Sequence, residues 1–218
     1  MGKINKPTFY PEAEEKLNVI SHGFGVVLSI VGFILLIVRA KTFGETMHLW
    51  SFSIFGASMI LLYAASTFYH SAKSDLLRYR LNILDHSSIY ILIAGTYTPF
   101  TLITLNGWIG WTLFSIVWIL AIAGIVFKLF YVDRFQTLST IMYVVMGWIM
   151  ITALKPLLIG LSLSGVLFLF GGGLFYTIGA ILFSLDKIKF NHAIFHMFVL
   201  SGTFCHFIAI YYYVLPES

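Results

Sequence analysis

Charged residues are scarce in this chain of 218 residues, of which only 10% are Asp, Glu, Lys or Arg. Because ordinary soluble domains carry about 25% charged residues, this composition excludes a soluble protein. Cysteine is almost absent, and with Cys205 alone a disulfide within the chain is excluded. Long polar linkers and low-complexity tracts are also missing, which indicates a single domain. Hydrophobic residues dominate instead, at 59% of the chain.

Seven apolar segments are each long enough to cross a bilayer as a helix, which takes about 20 mostly apolar residues. They cover approximately residues 19–38, 47–70, 82–105, 108–130, 136–154, 165–185 and 192–214. We therefore predict an all-α, polytopic membrane protein, built as a bundle of seven transmembrane helices in one domain. Residues 1–18 are expected to form a polar tail.

Lys and Arg are distributed unevenly between the two sides that these segments define. Arg39, Lys41 and Lys155 lie on one side. The other ten of the 13 lie in the N-terminal tail and in the connections after the second, fourth and sixth segments: Lys3, Lys6, Lys16, Lys73, Arg78, Arg80, Lys128, Arg134, Lys187 and Lys189. Since cytoplasmic loops are enriched in basic residues, we predict a cytoplasmic N-terminus and an outer C-terminus. The net charge of +4 then reflects membrane orientation and not a nucleic-acid partner.

Histidine is costly inside a membrane unless it has a partner or a task, and this chain has seven histidines. On the predicted topology, five lie near the cytoplasmic ends of four segments: His22, His70, His86, His192 and His196. His48 lies on the opposite side, where we expect an ordinary interfacial residue. His206 lies roughly 15 Å deeper than His196 at 1.5 Å of rise per residue, and we expect it to make a polar contact and not to bind metal.

His192 and His196 are four residues apart, so they share one face of a helix. Two such histidines can bind one Zn²⁺, and a third ligand with one open position is typical of a catalytic zinc site. His70 lies at the matching depth, so the sequence predicts a zinc site of His70, His192 and His196. The pair of histidines alone is a weak signal. Each histidine taken singly has the alternative role of a hydrogen bond to a carbonyl or a lipid headgroup.

Asp85 is the one carboxylate that begins an apolar segment, because the other eight acidic residues fall in predicted tails or loops. It is a candidate general base for a water molecule activated by the metal. The alternative is a charge that interacts favourably with the helix dipole. Ser66 lies one turn before His70, and its hydroxyl can orient the water or a substrate carbonyl, or can equally cap its own backbone.

Four stretches of the sequence resemble the hemolysin III proteins, the bacterial branch of the progestin and adiponectin receptor family. They are EKLNVISHGFG, STFYHS, LDHSSIYILIAGTYTPF and HAIFHMFVLSG. The resemblance implies a bacterial plasma-membrane protein with seven helices and the orientation predicted above. It also implies zinc ligands at His70, His192 and His196, with the aspartate of the third helix at Asp85 and the serine of the second at Ser66.

The resemblance leaves several functions open. The wider superfamily includes zinc-dependent ceramidases, so the first is a zinc hydrolase of lipid amide or ester bonds that influences membrane lipid composition. The second is a non-enzymatic receptor or sensor with structural zinc, and in both cases membrane lipids are the expected substrate or ligand. A transporter is disfavoured because the helix cores hold few charges. Cytolysis, which the family name implies, is a further alternative, although seven apolar segments do not suit a soluble pore-forming toxin.

Overall fold

The computed structural model describes residues 8–132, 134–185 and 187–215. All regular elements among these residues are helical. The α-helices are α1 (Glu12–Phe43), α2 (Thr46–Ser71), α3 (Asp75–Pro99), α4 (Gly107–Tyr131), α5 (Gln136–Trp148), α6 (Leu154–Gly160), α7 (Leu163–Phe183) and α8 (Asn191–Ala209). Within the described residues, seven helical spans are long and apolar enough to cross a membrane, which confirms the predicted fold class.

Three of the spans contain irregular helical turns. The third span continues α3 through a π-helix at Phe100–Leu105, and the seventh continues α8 through another at Ile210–Val214. The fifth span consists of α5, a 3₁₀-helix at Ile149–Ala153 and the short helix α6. The predicted fifth segment, residues 136–154, therefore covers only part of the observed span Gln136–Gly160.

Two helices begin well before the apolar segments that predicted them. α1 begins at Glu12 and α3 at Asp75, whereas the apolar segments begin near residues 19 and 82. Acidic side chains occupy the first turn of both helices, where they interact favourably with the positive end of the helix dipole. Polar residues that the sequence assigned to tails and loops are therefore held in helical register close to the bundle.

Sequential helices pack against each other, and the bundle closes because α8 packs against α1 as well as α7. α3 is the most enclosed span, since 67% of its most apolar stretch is buried, whereas the corresponding share for the α5 span is 22%. A tight α3–α4 contact brings the Tyr90 ring against Gly124, where a Cβ atom would collide with it. Because successive spans are antiparallel, one end of the bundle holds the N-terminal ends of α1, α3, α5 and α8. The C-terminal ends of α2, α4 and α7 lie at the same end.

Candidate metal centre and its cavity

Three histidines meet at that end of the bundle. His70 lies in the last turn of α2, and His192 and His196 occupy the first two turns of α8 on one helix face. Each offers a ring nitrogen, and these nitrogens all lie within 4.8 Å of one another. The Nε2 atoms of His70 and His192 are 3.1 Å apart. Two nitrogens bound tetrahedrally to one Zn²⁺ would be separated by roughly 3.3 Å, given Zn–N distances of about 2.0–2.1 Å.

The second ring nitrogen of each histidine has its own hydrogen-bond partner from the first helix or the residues just before it. Nδ1 of His70 lies 2.7 Å from Glu15 Oε2, and Nδ1 of His196 lies 3.1 Å from Ser21 Oγ. Nδ1 of His192 lies 2.7 Å from the Tyr10 hydroxyl. A protonated Nδ1 that donates to an oxygen leaves Nε2 as a neutral ligand atom, which is the usual arrangement around metal-binding histidines. The donor set therefore fits a metal ion, and the triad can hold one.

Burying three histidine side chains costs free energy unless they have hydrogen-bond partners or bind a ligand. The three histidines are only 4%, 7% and 1% exposed, in chain order. Tyr10 covers the site from the side of the N-terminus, with its ring centroid 4.6 Å from that of His192. Burial raises the pKa of the Tyr10 phenol well above its usual value, and nearby Tyr69 and Glu14 add to the effect, so the hydroxyl stays neutral. Glu14 is itself buried and accepts a hydrogen bond from the backbone N–H of His192 at 3.2 Å.

Arg78 connects Glu15 to the rest of the bundle. It is 1% exposed and forms an ion pair with the same carboxylate that holds His70. Its guanidinium also donates to the backbone carbonyls of Thr8 at 2.8 Å and Tyr69 at 3.3 Å. The hydropathy pattern predicts a connecting loop at Arg78, whereas Arg78 lies buried in the first turns of α3. The long guanidinium side chain satisfies its donors on buried oxygens there.

Asp85 on α3 and Ser66 on α2 line one cavity, together with His192 and His196 of the triad. Asp85 is 9% exposed and Ser66 is 1% exposed. Thr67 and Ser71, the neighbouring hydroxyl residues on α2, each donate to the carbonyl four residues earlier, at 2.7 Å. The catalytic roles of Asp85 and Ser66 stay predictions.

This cavity has a volume of about 160 Å³. Ser66, Asp85, His192 and His196 all line it. Most of the remaining lining is apolar or aromatic and comes from α3, α5, α7 and α8, for example Ile89, Leu92, Ile93, Phe100, Met150, Phe170, Phe195 and Val199. The site is therefore a polar end on a largely apolar pocket inside the bundle.

The other four histidines lie outside the triad. His22 is stacked on His196, with ring centroids 3.5 Å apart, and neither of its ring nitrogens has a hydrogen-bond partner among the described residues. His86 donates from Nδ1 to the Asn82 carbonyl, 3.0 Å away, as its alternative role predicted. His48 caps the start of α2 through a hydrogen bond from the Glu45 N–H at 3.1 Å. His206 reaches the Leu169 carbonyl at 3.0 Å, which is the deeper polar contact expected for it.

Sequence reasoning missed Tyr10, Glu15 and Ser21, because their contacts with the three histidines form only when α1 packs against α2 and α8. It also assigned Lys128 to a loop, whereas Lys128 lies in α4, is 0% exposed and lines the cavity. A signal for Lys128 was available. Lys128 continues a face of α4 that recurs every three or four residues and is otherwise small or apolar: Gly110, Leu113, Val117, Ala121 and Gly124.

Comparison with known proteins places this site in a family. A model of the haemolysin-III related family matches residues 10–207. The chain belongs to this haemolysin-III related family. The matched region of the haemolysin-III related chain begins at Tyr10 and includes the whole triad, Ser66 and Asp85, so the family extends over the complete site.

Curated relatives match over nearly the whole length. The chain is 50% identical over 205 residues to Hemolysin-3 of Bacillus cereus, covering 94% of each protein. It is 51% identical over 200 residues to a Hemolysin-3 homolog of Bacillus subtilis (strain 168), covering 92% of this chain and 94% of that protein. The human Monocyte to macrophage differentiation factor is 30% identical over 218 residues, covering 96% of this chain and 87% of that protein. This last match supports the predicted relationship to the progestin and adiponectin receptor family. The seven spans and these relatives show an integral membrane protein of a family with bacterial members.

Proposed function

We propose that this haemolysin-III related protein is a zinc-dependent hydrolase that cleaves an amide or ester bond of a membrane lipid. The observation that carries the proposal is the shared cavity, since His192 and His196 of the triad line it together with Asp85 and Ser66, and most of its remaining lining is apolar. A lipid that enters this pocket would bring its apolar chain against the lining and its polar bond toward the triad. Hydrolysis there would alter the lipid composition of the membrane.

Zinc is the metal that this donor set favours. Neutral imidazoles without thiolates suit Zn²⁺ among the available metals, and three protein ligands with one open position are typical of catalytic zinc. Bound Zn²⁺ would supply a Lewis acid that polarises a carbonyl and acidifies water. His70, His192 and His196 would hold the ion, while Glu15, Tyr10 and Ser21 fix the orientation of the three rings.

Asp85 is the proposed general base. In hydrolysis, a water oxygen forms a bond to the acyl carbon while the bond from that carbon to the leaving nitrogen or oxygen breaks. Asp85 would accept the proton that the water loses and return it to the leaving group, so that an acid and an amine or alcohol result. Ser66 lines the same cavity, and its hydroxyl would hold the carboxylate in position. On the predicted orientation, this reaction occurs near the cytoplasmic face.

The test combines metal analysis with one matched pair of variants. Purified protein should contain about one zinc per chain, and the His192→Ala/His196→Ala double variant should contain none. Asp85→Asn should keep the zinc and lose lipid hydrolysis by at least ~10²-fold, the usual contribution of a general base. Asp75→Asn is the control, because Asp75 is exposed at the start of the same helix. Full turnover in Asp85→Asn would remove Asp85 from the mechanism.

A non-enzymatic sensor with structural zinc is the second candidate. It is favoured by the way the triad and Tyr10 connect α2, α8 and the residues preceding α1. On this alternative, no lipid product forms, and removal of zinc lowers the thermal stability of the wild type but not of the double histidine variant. Haemolysis, which the name of the Bacillus cereus relative attributes to that protein, is a separate activity. A lysis assay on red blood cells with wild type and double variant tests it.

A further inference from the structure

Three residues that precede α1 form a short surface segment, Thr8–Tyr10, which we call the N-terminal strap. They belong to no helix or strand, and Pro11 occupies the N-cap position of α1. Because a residue before proline is restricted toward extended conformations, the proline disfavours a helical Tyr10. Thr8 and Phe9 are exposed, whereas Tyr10 is partly buried. The strap therefore lies at the surface and directs one side chain toward the bundle.

The Tyr10 side chain lies against two of the three metal-binding histidines. Its ring centroid is 4.6 Å from that of His192 and 5.8 Å from that of His70. Its hydroxyl oxygen is 2.7 Å from His192 Nδ1. Among the described residues, the cavity is lined by His192 and His196 but by neither His70 nor Tyr10. The strap and the cavity therefore contact different parts of the triad.

The strap is attached to the bundle by side-chain contacts and not by helical hydrogen bonds. The Thr8 carbonyl accepts hydrogen bonds from Arg78 Nε at 2.8 Å and from the Tyr69 hydroxyl at 3.4 Å. The Phe9 ring lies over the Arg78 guanidinium, with its centroid 4.2 Å from Cζ. The N–H of the third strap residue donates to Glu15 Oε1 at 2.9 Å. These contacts can break while every helix stays intact.

The strap side of the triad is also the side that suits the passage of an ion. Most of the cavity lining is apolar or aromatic, and a divalent cation there would lose its hydration without gaining partners. On the strap side, Tyr10 contacts His192 and is itself partly exposed. A short movement of the strap would therefore open a path between solvent and the triad.

We propose that the N-terminal strap is a lid that controls how fast a metal ion enters and leaves the histidine triad. With the lid closed, Tyr10 covers His192 and contributes a hydrogen bond to it. Metal exchange requires the strap to leave its contacts with Arg78 and Glu15. This inference goes beyond the proposed hydrolase, because it concerns the loading of the metal and applies equally to an enzyme and to a sensor.

The experiment measures the rates of zinc uptake and zinc loss of the purified full chain in detergent. Uptake is followed by mixing metal-free protein with Zn²⁺ and a fluorescent zinc indicator, and loss by mixing zinc-loaded protein with excess chelator. The variants are Phe9→Ala, Tyr10→Phe and Tyr10→Ala. Phe43→Ala is the matched control. Phe43 is 52% exposed and lies 5.7 Å from Arg39 Cζ at the opposite end of α1, whereas Phe9 is 50% exposed.

The uptake rate of wild type should level off as the zinc concentration rises, because opening of the lid then limits the rate. Phe9→Ala should raise both rates by about 2- to 5-fold and leave affinity nearly unchanged, since an exposed cation–π contact contributes about 0.5–1 kcal/mol. Phe43→Ala should change neither rate. Tyr10→Phe keeps the covering ring and should accelerate loss alone, whereas Tyr10→Ala should accelerate uptake as well. This difference separates a lid from a side chain that only orients His192.

Two results would overturn the inference. One is a wild-type uptake rate that stays proportional to zinc concentration up to the highest concentration measured. The other is an uptake rate that neither Phe9→Ala nor Tyr10→Ala changes. Should Tyr10→Ala fail to fold, wild type and Phe9→Ala decide, because Phe9 is an exposed residue before the first helix.

The lid and the hydrolase fail in different ways. Zinc uptake limited by opening, without hydrolysis of any lipid, would remove the enzyme and leave the lid. Lipid hydrolysis with uptake that is not limited by opening would leave the enzyme and remove the lid. A wild type that binds no zinc would remove both.

Discussion

Glu15 is the residue whose removal tests the structure of the metal centre most directly. Its two carboxylate oxygens have different partners. Oε2 accepts a hydrogen bond from His70 Nδ1 at 2.7 Å, while Oε1 accepts one from the Tyr10 N–H and forms an ion pair with Arg78. Glu15→Ala therefore removes the group that orients one ligand of the triad. It also leaves the buried Arg78 guanidinium without its carboxylate. The change should affect both metal affinity and stability.

The magnitudes follow from burial and from the remaining contacts. Losing the partner of a metal-binding histidine typically lowers metal affinity by about 10- to 100-fold. Breaking a buried ion pair by removing one partner costs about 3–5 kcal/mol. We expect a value near the lower limit, about 3 kcal/mol, for two reasons. The Glu15 side chain is still 16% exposed, and Arg78 keeps the carbonyls of Thr8 and Tyr69.

The assay compares Glu15→Ala with Glu12→Ala in the same helix. Glu12 forms an exposed ion pair with Lys16, at side-chain exposures of 85% and 69%, so its loss should change nothing measurable. Zinc affinity is measured by competition with a chelator, and stability by thermal unfolding in detergent with and without zinc. Glu15→Gln should fall between wild type and Glu15→Ala, because the amide oxygen still accepts a hydrogen bond. Unchanged zinc affinity in Glu15→Ala would refute the role given to Glu15.

Two further variants test neighbouring contacts. Tyr10→Phe keeps the aromatic ring beside His192 but removes the hydroxyl oxygen that lies 2.7 Å from His192 Nδ1, so zinc affinity should fall by about 10-fold. Tyr212→Phe is the control, because Tyr212 is exposed, and it should leave zinc affinity unchanged. Gly172→Ala would place a Cβ against the His206 ring and the Gly202 carbonyl, and should destabilise by about 1–3 kcal/mol in thermal unfolding. At the adjacent Gly171 a new Cβ would meet nothing within 4 Å, so Gly171→Ala should leave stability unchanged or raise it by up to about 1 kcal/mol. An equal loss of stability in both variants would contradict the packing of α7 against α8.

Much of the site was predictable because its residues obey simple periodicities. The four-residue spacing of His192 and His196 determines a shared helix face, and counting apolar segments brings the end of α2 to the same side. These two facts led from the sequence to the triad, which the structure brings together. The seven spans follow from the length of apolar runs alone, since the bilayer allows few other structures.

Polar helix ends were less predictable, because hydropathy defines only the part of a helix that contacts lipid. α1 and α3 continue beyond their apolar segments, and Glu15 and Arg78 belong to these extensions. A loop assignment follows naturally from their charge. Their helical register and burial depend on partners that are distant in sequence, such as His70 for Glu15.

The sequence by itself determined the class of protein and the number of spans, and it predicted which three histidines come together, because each follows from local composition or from spacing along one helix. Tertiary structure decided which side chains hold the imidazole rings, that Ser66 and Asp85 line one cavity, and that Lys128 also lines it. The physical reason is that hydrogen bonds and burial between helices depend on how the helices are rotated and packed. Neither quantity is encoded in the pattern of any single apolar segment.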